Sequence, residues 1–496
     1  MYGSYLDRQK QCPLLSGLLA HARSNPTQFH IPGHKGGKGM DPQFRKLIGD
    51  KALAIDLINI TPLDDLHNPT GIIREAQVLA AEAFGAEHTF FSVQGTSTAI
   101  MAMIMSVCKP GDKIIVPRNV HRSILSALIF SGAKPIFLHP EMDHKIGIAH
   151  GITTKAVETA LIKHPDAKAV LVINPTYFGI AANLADIVEV AHRHGVPVLV
   201  DEAHGIHIHF HPDLPMSAMQ AGADLAATSV HKLGGSLTQS SVLNHQGNLV
   251  NYRHVQSVLN MLTTTSTSYL LLASLDTARR QLALKGRKLI SRALALAEKA
   301  RQAINKIPGL YCVGPEILGS EATYDLDPTK LMIHVKELGL TGHDVEVWLR
   351  QNHNVEIELS DMYNILCVVS LGDDKKTIDK LISALKSLSD EFYPVRKETD
   401  PIRVTVPEIP ELAVSPRQAF YADVETVPLR ESVGRIVAEL ITVYPPGIAI
   451  VLPGEIMSEA NLQYIIENME AGLPVMGPQD RTLATLRVIK DVKGIE

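Results

Sequence analysis

The sequence of 496 residues lacks the features that would direct a protein into or across a membrane. Its longest apolar run, Ala99–Cys108, is about half of the roughly 18–20 residues that a membrane-spanning helix needs. The first residues, MYGSYLDRQKQ, carry charges where a signal peptide would have an apolar core. The formal net charge is only −5, so no global field attracts nucleic acid or an anionic membrane. These absences predict a cytoplasmic protein with neither nucleic acid nor membrane as a partner.

Cysteine is scarce, and the four cysteines lie far apart without a CxxC pair. Cys108 and Cys367 lie in apolar runs, where cysteine acts as a small buried hydrophobic residue. This usage favours a reducing compartment. Repeats and low-complexity segments are absent. Hydrophobic residues make up 45% and charged residues 20% of the chain, which is the balance of a globular protein.

Between about Thr70 and Gln239 the chain alternates short β-branched runs with helical patterns. Four or more consecutive apolar residues, bounded by Gly, Pro, Asn or Asp, are typical of strands buried on both faces of a largely parallel sheet. The clearest runs are residues 113–117, 134–139, 168–174 and 196–202. We therefore predict an α/β fold whose functional groups lie at the carboxyl ends of these strands.

Composition shifts predict four segments: an N-terminal arm at 1–69, a large domain at 70–285, a small α/β domain at 286–392 and a C-terminal α+β domain at 393–496. A long helix is predicted over Tyr269–Ile304, leading out of the large domain. Strands are expected near 330–335, 354–359 and 364–371, with a helix near Gly342–Gln351. The Pro-rich stretch Tyr393–Pro416 reads as a linker.

Lys232 is the first candidate for chemistry. Most lysines are solvated surface charges, but this one follows the apolar run 226–230 and precedes two glycines that permit close approach. A desolvated lysine loses its proton more easily and becomes a nucleophile toward an aldehyde. Ser229 and His231, beside it, are placed to donate to a phosphate.

Asp201 lies at the end of a predicted strand, about 30 residues before Lys232. Such a carboxylate often caps the following turn only. Beside the nitrogen of a pyridine ring, however, it would keep that nitrogen protonated and make the ring a strong electron sink. Ala203 is small enough to lie under a flat ring, and His204 follows it.

A phosphate site is predicted at Gln94-Gly-Thr-Ser-Thr, which follows a strand and opens an apolar helix. Thr96 and Ser97 would offer hydroxyls where a helix N-terminus presents free N–H groups to an anion. Hydroxyl residues open most helices, so this signal depends on the neighbouring motifs. His121, after the strand at 113–116, would suit stacking on a flat ring, and Thr176 lies in Asn174-Pro-Thr-Tyr at another strand end.

Three alternatives stay open. His207, His209 and His211 alternate along a possible strand beside His204, as the ligands of a metal enzyme could. This alternative explains neither Asp201 nor Lys232, so no metal is expected. An aminotransferase or aldolase on the same fold would need a carboxylate-binding arginine, for which Arg350 is a candidate. A non-catalytic regulator would have no need of Lys232 and Asp201.

Taken together, these motifs resemble the ornithine/lysine/arginine decarboxylases of the aspartate-aminotransferase fold. The resemblance covers nearly the whole chain and is greatest to the short bacterial biosynthetic arginine decarboxylases. Its markers are FHIPGHKGG from Phe29, LDDLHNPTG from Leu63, QGTST from Gln94, PRNVHRS from Pro117, NPTY from Asn174, DEAHG from Asp201, SVHKLGGSLTQSS from Ser229, TSTSYLLLASLD from Thr265 and YPPGIAIVLPGE from Tyr444. It implies a fold-type-I large domain with a mostly parallel seven-stranded sheet, which binds pyridoxal 5'-phosphate (PLP).

The resemblance also implies roles for individual residues. Lys232 would hold the cofactor as a Schiff base, Asp201 would pair with the pyridinium, and His121 would stack on the ring. The remaining cofactor contacts would come from Thr96, Ser97, Thr176, His204, Ser229 and His231, with His204 or Lys232 returning a proton. The substrate contacts would come from Lys35, Glu358, Asp361 and Glu455, with Lys35 and Glu455 reaching the active site of a neighbouring subunit.

These expectations favour a homodimer or higher homo-oligomer that decarboxylates a basic amino acid. Arginine, giving agmatine for polyamine biosynthesis, is the preferred substrate, because a carboxylate can meet the planar guanidinium with two hydrogen bonds. The same acidic residues would accept lysine through a water, so lysine, and then ornithine, remain alternatives.

Overall fold

The computed structural model describes residues 4–396, 407–443, 448–470 and 475–490. The chain forms two compact units, Met1–Ser106 with Leu199–Ile290, and Val107–Val198 with Ser291–Glu496. No helix in the described ranges is long and apolar enough to cross a membrane. The Tyr444-Pro-Pro-Gly part of the C-terminal motif lies outside these ranges. The division into four segments stays a prediction.

A seven-stranded sheet confirms the predicted α/β fold. The first unit holds four strands in the order His88–Ser92, Ser241–His245, Leu225–Thr228 and Val198–Asp201. The second unit holds three in the order Ala169–Ile173, Lys113–Pro117 and Lys134–Leu138. Within each unit neighbouring strands are parallel, except that Ser241–His245 runs antiparallel to both of its neighbours.

The apolar runs form strands because both of their faces are covered. Ile114–Val116 and Val170–Val172 are at most 1% exposed, although successive side chains point to opposite faces of the sheet. Gly111 and Gly195 precede strands with φ of 87° and 68°. This left-handed backbone suits glycine, which allows the chain to turn just before each strand.

The predicted long helix is confirmed with the bounds Tyr269–Ile304. It ends shortly before Pro308-Gly309, where the chain turns. The other α-helices of the first unit are Tyr5–Gln9, Pro13–Ser24, Pro42–Ile48, Asp50–Leu53, Ile72–Phe84, Gly95–Met105, Val230–Leu233 and Tyr252–Leu262. Those of the second unit are Arg122–Ser131, Thr154–Lys163, Leu184–Arg193, Gly342–His353, Lys375–Phe392, Pro416–Tyr421 and Glu459–Glu470.

Smaller sheets complete the second unit. The four-stranded one has the order Tyr311–Cys312, Lys330–His334, Asn364–Val368 and Leu359–Ser360, and the three-stranded one Ile448–Val451, Ile441–Val443 and Val475–Met476. Two-stranded ones pair Val424–Pro428 with Thr485–Ile489, Met142–Asp143 with Ile148–Ala149, and Asp325–Leu326 with Ile180–Ala181. Separate hydrophobic clusters lie within residues 293–388 and 429–486.

The strand predicted over residues 354–359 is mostly wrong, since only Leu359–Ser360 is a strand there. Asn354 ends the preceding helix in the left-handed conformation, with φ of 48°. The N–H groups of Asn354 and Val355 donate to Arg350 and Leu349 of that helix. The helix terminus therefore uses backbone groups that a strand would have needed.

Candidate active site

Two parallel strands bring Asp201 and Lys232 to the same edge of the sheet in the first unit. Asp201 ends the strand Val198–Asp201 and is in register with Ala227 of the neighbouring strand. That neighbour ends at Thr228, and Ser229 then precedes the short helix Val230–Leu233, which carries Lys232. Asp201 and Lys232 are about 30 residues apart in the sequence, and the pairing of these two strands brings them to the same edge of the sheet.

The Nζ atom of Lys232 lies 2.7 Å from the Nε2 atom of His204. A hydrogen bond between these atoms needs a proton on one of them and a lone pair on the other. His204 is 7% exposed, whereas Lys232 is exposed. The structure thus places a buried imidazole next to the predicted nucleophile, where it can take or return a proton.

Asp201 is a buried carboxylate, 4% exposed. Burial raises its pKa to about 6, while the Ala203 N–H, 3.2 Å from Oδ1, and the charge of Lys232 act in the opposite direction. A cation brought into contact with Asp201 would favour the ionised form. A protonated pyridine nitrogen is such a cation, so this environment fits the predicted role.

A cluster of hydroxyls lies at the beginning of the helix Gly95–Met105. The Thr96 Oγ1 atom contacts the Ser229 Oγ atom closely and lies 2.7 Å from the Ser241 Oγ atom. All three residues are buried, while Ser97 on the same helical turn is exposed. Hydroxyls and a helix N-terminus together make a donor set that fits a phosphate.

His231 precedes Lys232 in the chain, and its side chain is hydrogen-bonded to the backbone of Ser240. Its Nδ1–H donates to the carbonyl oxygen of Ser240 at 2.9 Å. That bond fixes the orientation of the imidazole next to Ser229. A role of His231 toward phosphate stays a prediction.

The histidines at 207–211 do not form the strand that the metal-enzyme alternative requires. Ile208–Phe210 is a turn of 3-10 helix. His209 Nε2 donates to the fully buried Glu202 at 2.9 Å, and Glu202 also accepts from the Ala218 N–H at 2.7 Å and the Thr228 hydroxyl at 3.0 Å. The residues that the structure describes contain no group of three or more His, Cys, Asp or Glu arranged to hold a metal.

Lys35 lies in the N-terminal part of the first unit, with φ of 47°. Its ammonium group donates to the carbonyl oxygen of His30 within the same chain. A contact of Lys35 with a neighbouring subunit stays a prediction.

In the second unit, His121 follows the strand Lys113–Pro117 and is exposed. It caps the helix Arg122–Ser131, because its Nδ1 atom accepts from the Ser123 N–H at 3.2 Å. Thr176 is buried, and its hydroxyl oxygen accepts from the Ile180 N–H at 3.2 Å. The Thr176 side chain therefore stabilises its own turn, and its predicted cofactor contact has no support in these bonds.

The acidic residues of the second unit have different surroundings. Glu358 is exposed and accepts a hydrogen bond of 2.5 Å from the hydroxyl of Tyr177. Asp361 is buried, which raises its pKa, and it accepts from the backbone of Tyr363 and from Asn364. The Glu358 carboxylate is therefore accessible to solvent, whereas the Asp361 carboxylate stabilises the turn that contains Asp361.

Glu455 forms a buried ion pair with Arg118 that the sequence does not predict. It is fully buried, and both of its oxygens pair with Arg118 of the same chain at 2.6 and 2.7 Å. The expected contact with a substrate in a neighbouring subunit therefore has no support in its contacts. Arg118 stands within the PRNVHRS motif, but its partner is 337 positions away, and no local pattern links the two.

Arg350, the candidate for a carboxylate-binding arginine, forms ion pairs with two acidic residues of the same chain. Its Nη2 atom lies 2.7 Å from Glu346, and its Nε atom lies 4.0 Å from Glu356. These contacts place Arg350 in a surface ion-pair group of the helix Gly342–His353.

Known proteins are similar to this chain over almost its whole length. Residues 12–377 match the family model of the Orn/Lys/Arg decarboxylase major domain, and residues 402–474 match that of the C-terminal domain. An arginine decarboxylase of Halalkalibacterium halodurans is 66% identical, with 99% of this chain and 100% of the relative covered.

Two solved structures support the fold. The lysine decarboxylase of Francisella novicida has a TM-score of 0.84 at 24% identity, covering 97% of this chain and 82% of that one. A ureidoglycine-glyoxylate aminotransferase from Bacillus subtilis has a TM-score of 0.54 at 16% identity, covering 72% and 92%. At these identities the likeness concerns the fold alone.

Proposed function

Since the chain belongs to the Orn/Lys/Arg decarboxylase family, we propose that it converts L-arginine to agmatine and CO2 with PLP bound to Lys232. The observation that carries the proposal is the contact of 2.7 Å between Lys232 and the buried His204, at the sheet edge that also holds Asp201. This combination joins a nucleophilic amine, a proton carrier and a buried carboxylate, and it serves a Schiff-base enzyme better than a metal enzyme.

The residues of the first unit fit PLP as a donor set. Lys232 would hold its aldehyde carbon, Asp201 its pyridine nitrogen, and Thr96, Ser97, Ser229 and His231 its phosphate. His121 would cover a face of the ring. When bound, PLP supplies an electron sink for the electron pair that remains when CO2 leaves.

The side chains at the sheet edge would manage the protons of the reaction. The bond between Cα and the carboxylate breaks, CO2 leaves, and one proton is added at Cα. Lys232 must lose a proton to act as a nucleophile, and His204 Nε2 is within hydrogen-bond distance to take it. The same pair would return a proton to Cα.

Arginine is the preferred substrate on two grounds. The relative with 66% identity is named an arginine decarboxylase, whereas the lysine decarboxylase structure is only 24% identical. Glu358 also offers an exposed carboxylate, oriented by Tyr177, which suits a guanidinium. Asp361, with its buried and bonded carboxylate, is not proposed as a contact.

We further propose a cytoplasmic homodimer or higher homo-oligomer, in which Lys35 reaches the neighbouring active site and agmatine feeds polyamine synthesis. Support comes from the motif resemblance around Phe29-His-Ile-Pro-Gly-His-Lys. Phe29 is 94% and Ile31 58% exposed in the single chain, as expected for an arm that packs against another subunit.

The direct test is product identification. Purified protein is incubated with PLP and L-arginine, and both agmatine and released CO2 are measured, with Lys232→Ala as control. Equal amounts of the two products are expected from the wild type and none from the variant. Agmatine formation by both proteins, or by neither, would contradict the proposal.

A further inference from the structure

We propose that Glu455 and Arg118 are positioning residues, through which the C-terminal segment fixes the loop Arg118–His121 that presents His121 to the cofactor. The inference rests on the proposed function, because the role of His121 belongs to it. It replaces the expectation that Glu455 binds substrate.

All three nitrogen atoms of the Arg118 guanidinium donate hydrogen bonds to the C-terminal segment. Its two Nη atoms meet the two oxygens of Glu455 at 2.6 and 2.7 Å. Its Nε atom donates to the Ala449 carbonyl at 2.7 Å, and Nη2 also donates to Ile450 at 3.1 Å. Such a forked arrangement fixes both the distance and the plane of the guanidinium, which a lysine could not do.

Glu455 is in turn held by its own segment. Its Oε2 atom accepts from the Leu452 N–H at 2.7 Å, and its backbone carbonyl accepts from the Val437 N–H at 2.8 Å. Burial raises the pKa of its carboxyl, and Arg118 acts against that shift. Glu455 therefore has no open side from which a substrate could approach while this pair exists.

The backbone before Glu455 requires a glycine, which is Gly454 of the Pro-Gly-Glu sequence. It has φ of 97°, and a Cβ atom at this position would lie 2.3 Å from the Val414 carbonyl oxygen. Its carbonyl also accepts from the N–H groups of Ala413 and Val414. Only glycine tolerates this approach. Gly454 therefore allows the backbone position from which Glu455 reaches Arg118.

The loop after Arg118 is short and is held at Asn119 and His121. Asn119 Nδ2 donates to the carbonyl of His150 at 3.3 Å, and His121 caps the helix Arg122–Ser131 through Ser123. His121 itself is exposed, and its Nδ1 atom also lies 2.8 Å from the Ser123 hydroxyl, so the ring is held to the loop that carries it. Three residues earlier, the guanidinium of Arg118 attaches that loop to the C-terminal segment.

The first experiment compares hydrogen–deuterium exchange of the wild type and Glu455→Gln, each without PLP. Because the amide has neither the charge nor the second acceptor oxygen of the carboxylate, the forked contact with Arg118 is lost, and exchange of amides 119–123 is expected to rise by about tenfold or more. Glu425→Gln, which removes a half-exposed ion pair with Arg435 in the same C-terminal segment, is the matched control and should leave these amides unchanged. Equal exchange in wild type and Glu455→Gln would overturn the proposal.

The second experiment is a double-mutant cycle in the holoenzyme. Glu455→Gln is expected to lower kcat for arginine about tenfold with KM within about threefold, and to reduce the circular dichroism of the cofactor band. In a His121→Ala background it should have little further effect on kcat, because Glu455 acts through His121. A rise in KM at unchanged kcat, or an equal loss of kcat in both backgrounds, would overturn the positioning role.

If Glu455→Gln fails to fold, Arg118→Lys provides the same test from the other side of the pair. It keeps a cation opposite Glu455 but removes the forked contact, and the same loss of kcat and its disappearance with His121→Ala are expected. An absence of cofactor absorbance and of CO2 release in the wild type would instead overturn the proposed function, while the exchange result would still report on the loop.

Discussion

The Nε2 atom of His204 lies 2.7 Å from the Nζ atom of Lys232, although the two residues are 28 positions apart. Asp201 ends one strand and His204 follows it, while Lys232 follows the parallel neighbour. One strand pairing therefore brings together the proposed nucleophile, its proposed proton partner and the buried carboxylate. This contact supports the proposed role of His204, which the motif resemblance by itself did not assign.

Replacing His204 with Gln should slow both attachment of PLP and turnover. The amide can accept a hydrogen bond from Lys232, but it cannot take up a proton at neutral pH. The rate of absorbance gain after PLP addition and kcat should each fall at least about tenfold, with KM for arginine little changed. His254→Gln, on an exposed part of the helix Tyr252–Leu262, is the control. Retention of the wild-type rates would exclude His204 as the proton partner.

Lys232→Ala should abolish the yellow chromophore that PLP forms with the wild type. After borohydride reduction of the wild type, peptide mapping should locate the adduct on Lys232, since no other lysine shares its place at the sheet edge in the described first unit. Lys376→Ala, at an exposed lysine, should keep the colour. An adduct on a different lysine would contradict this assignment.

Asp201→Asn should retain PLP but lose most of the rate. Without the carboxylate, the pyridine nitrogen deprotonates more easily, which weakens the electron sink and leaves the phosphate contacts intact. A loss of kcat of more than about tenfold is expected, because 1.4 kcal/mol of transition-state stabilisation corresponds to that factor. Activity within about threefold of the wild type, at full cofactor occupancy, would contradict the role.

The buried Asp201 also predicts a pH-dependent stability of the PLP-free protein. Its pKa is raised from 3.8 to about 6 in the folded chain, so the folded state binds more protons than the unfolded state between these values. Stability therefore falls as pH rises through this window, by at most roughly 3 kcal/mol.

Asp201→Asn removes this titration, so its Tm relative to the wild type should be higher at pH 7.5 than at pH 4.5. Thermal unfolding of the two PLP-free proteins across this range measures the difference. A difference in Tm that does not vary with pH would show that Asp201 does not titrate there.

Elements with a strong local pattern could be predicted from the sequence. The helix Tyr269–Ile304 has a long amphipathic run and a Pro-Gly stop, and the buried strands have uninterrupted β-branched runs. Asp201, Thr96 and Ser229 could be found because they directly follow such runs or open a helix. The roles proposed for them depend on the position of the strand ends.

Features that depend on distant partners could not be predicted. The alternation at His207 and His209 matches a strand, but Glu202 draws His209 into a compact turn. The pair of Arg118 and Glu455 joins positions 337 residues apart, and a buried charge has no signal in a single sequence. The Arg118 position within a recognised motif was the only clue.

Substrate selectivity is expected to depend on Glu358. Its carboxylate is exposed, and Tyr177 orients one of its oxygens from 2.5 Å. A guanidinium presents several donors in one plane and can use both carboxylate oxygens, whereas an ammonium is a point charge that keeps more of its hydration. The wild type should therefore have a higher kcat/KM for arginine than for lysine or ornithine.

Glu358→Gln should raise KM for arginine by about tenfold or more, since a charge-assisted hydrogen bond contributes on the order of 1.5–3 kcal/mol, and it should reduce the preference over lysine. Tyr177→Phe should have a smaller effect in the same direction, because it removes only the orientation of the carboxylate. Glu356→Gln is the matched control, since Glu356 is exposed two residues away and lies near Arg350.

A wild-type preference for lysine or ornithine would make the substrate assignment wrong, but the assignment as a decarboxylase would stand. Equal effects of Glu356→Gln and Glu358→Gln would instead indicate that the general negative charge of this surface, not Glu358, attracts the substrate.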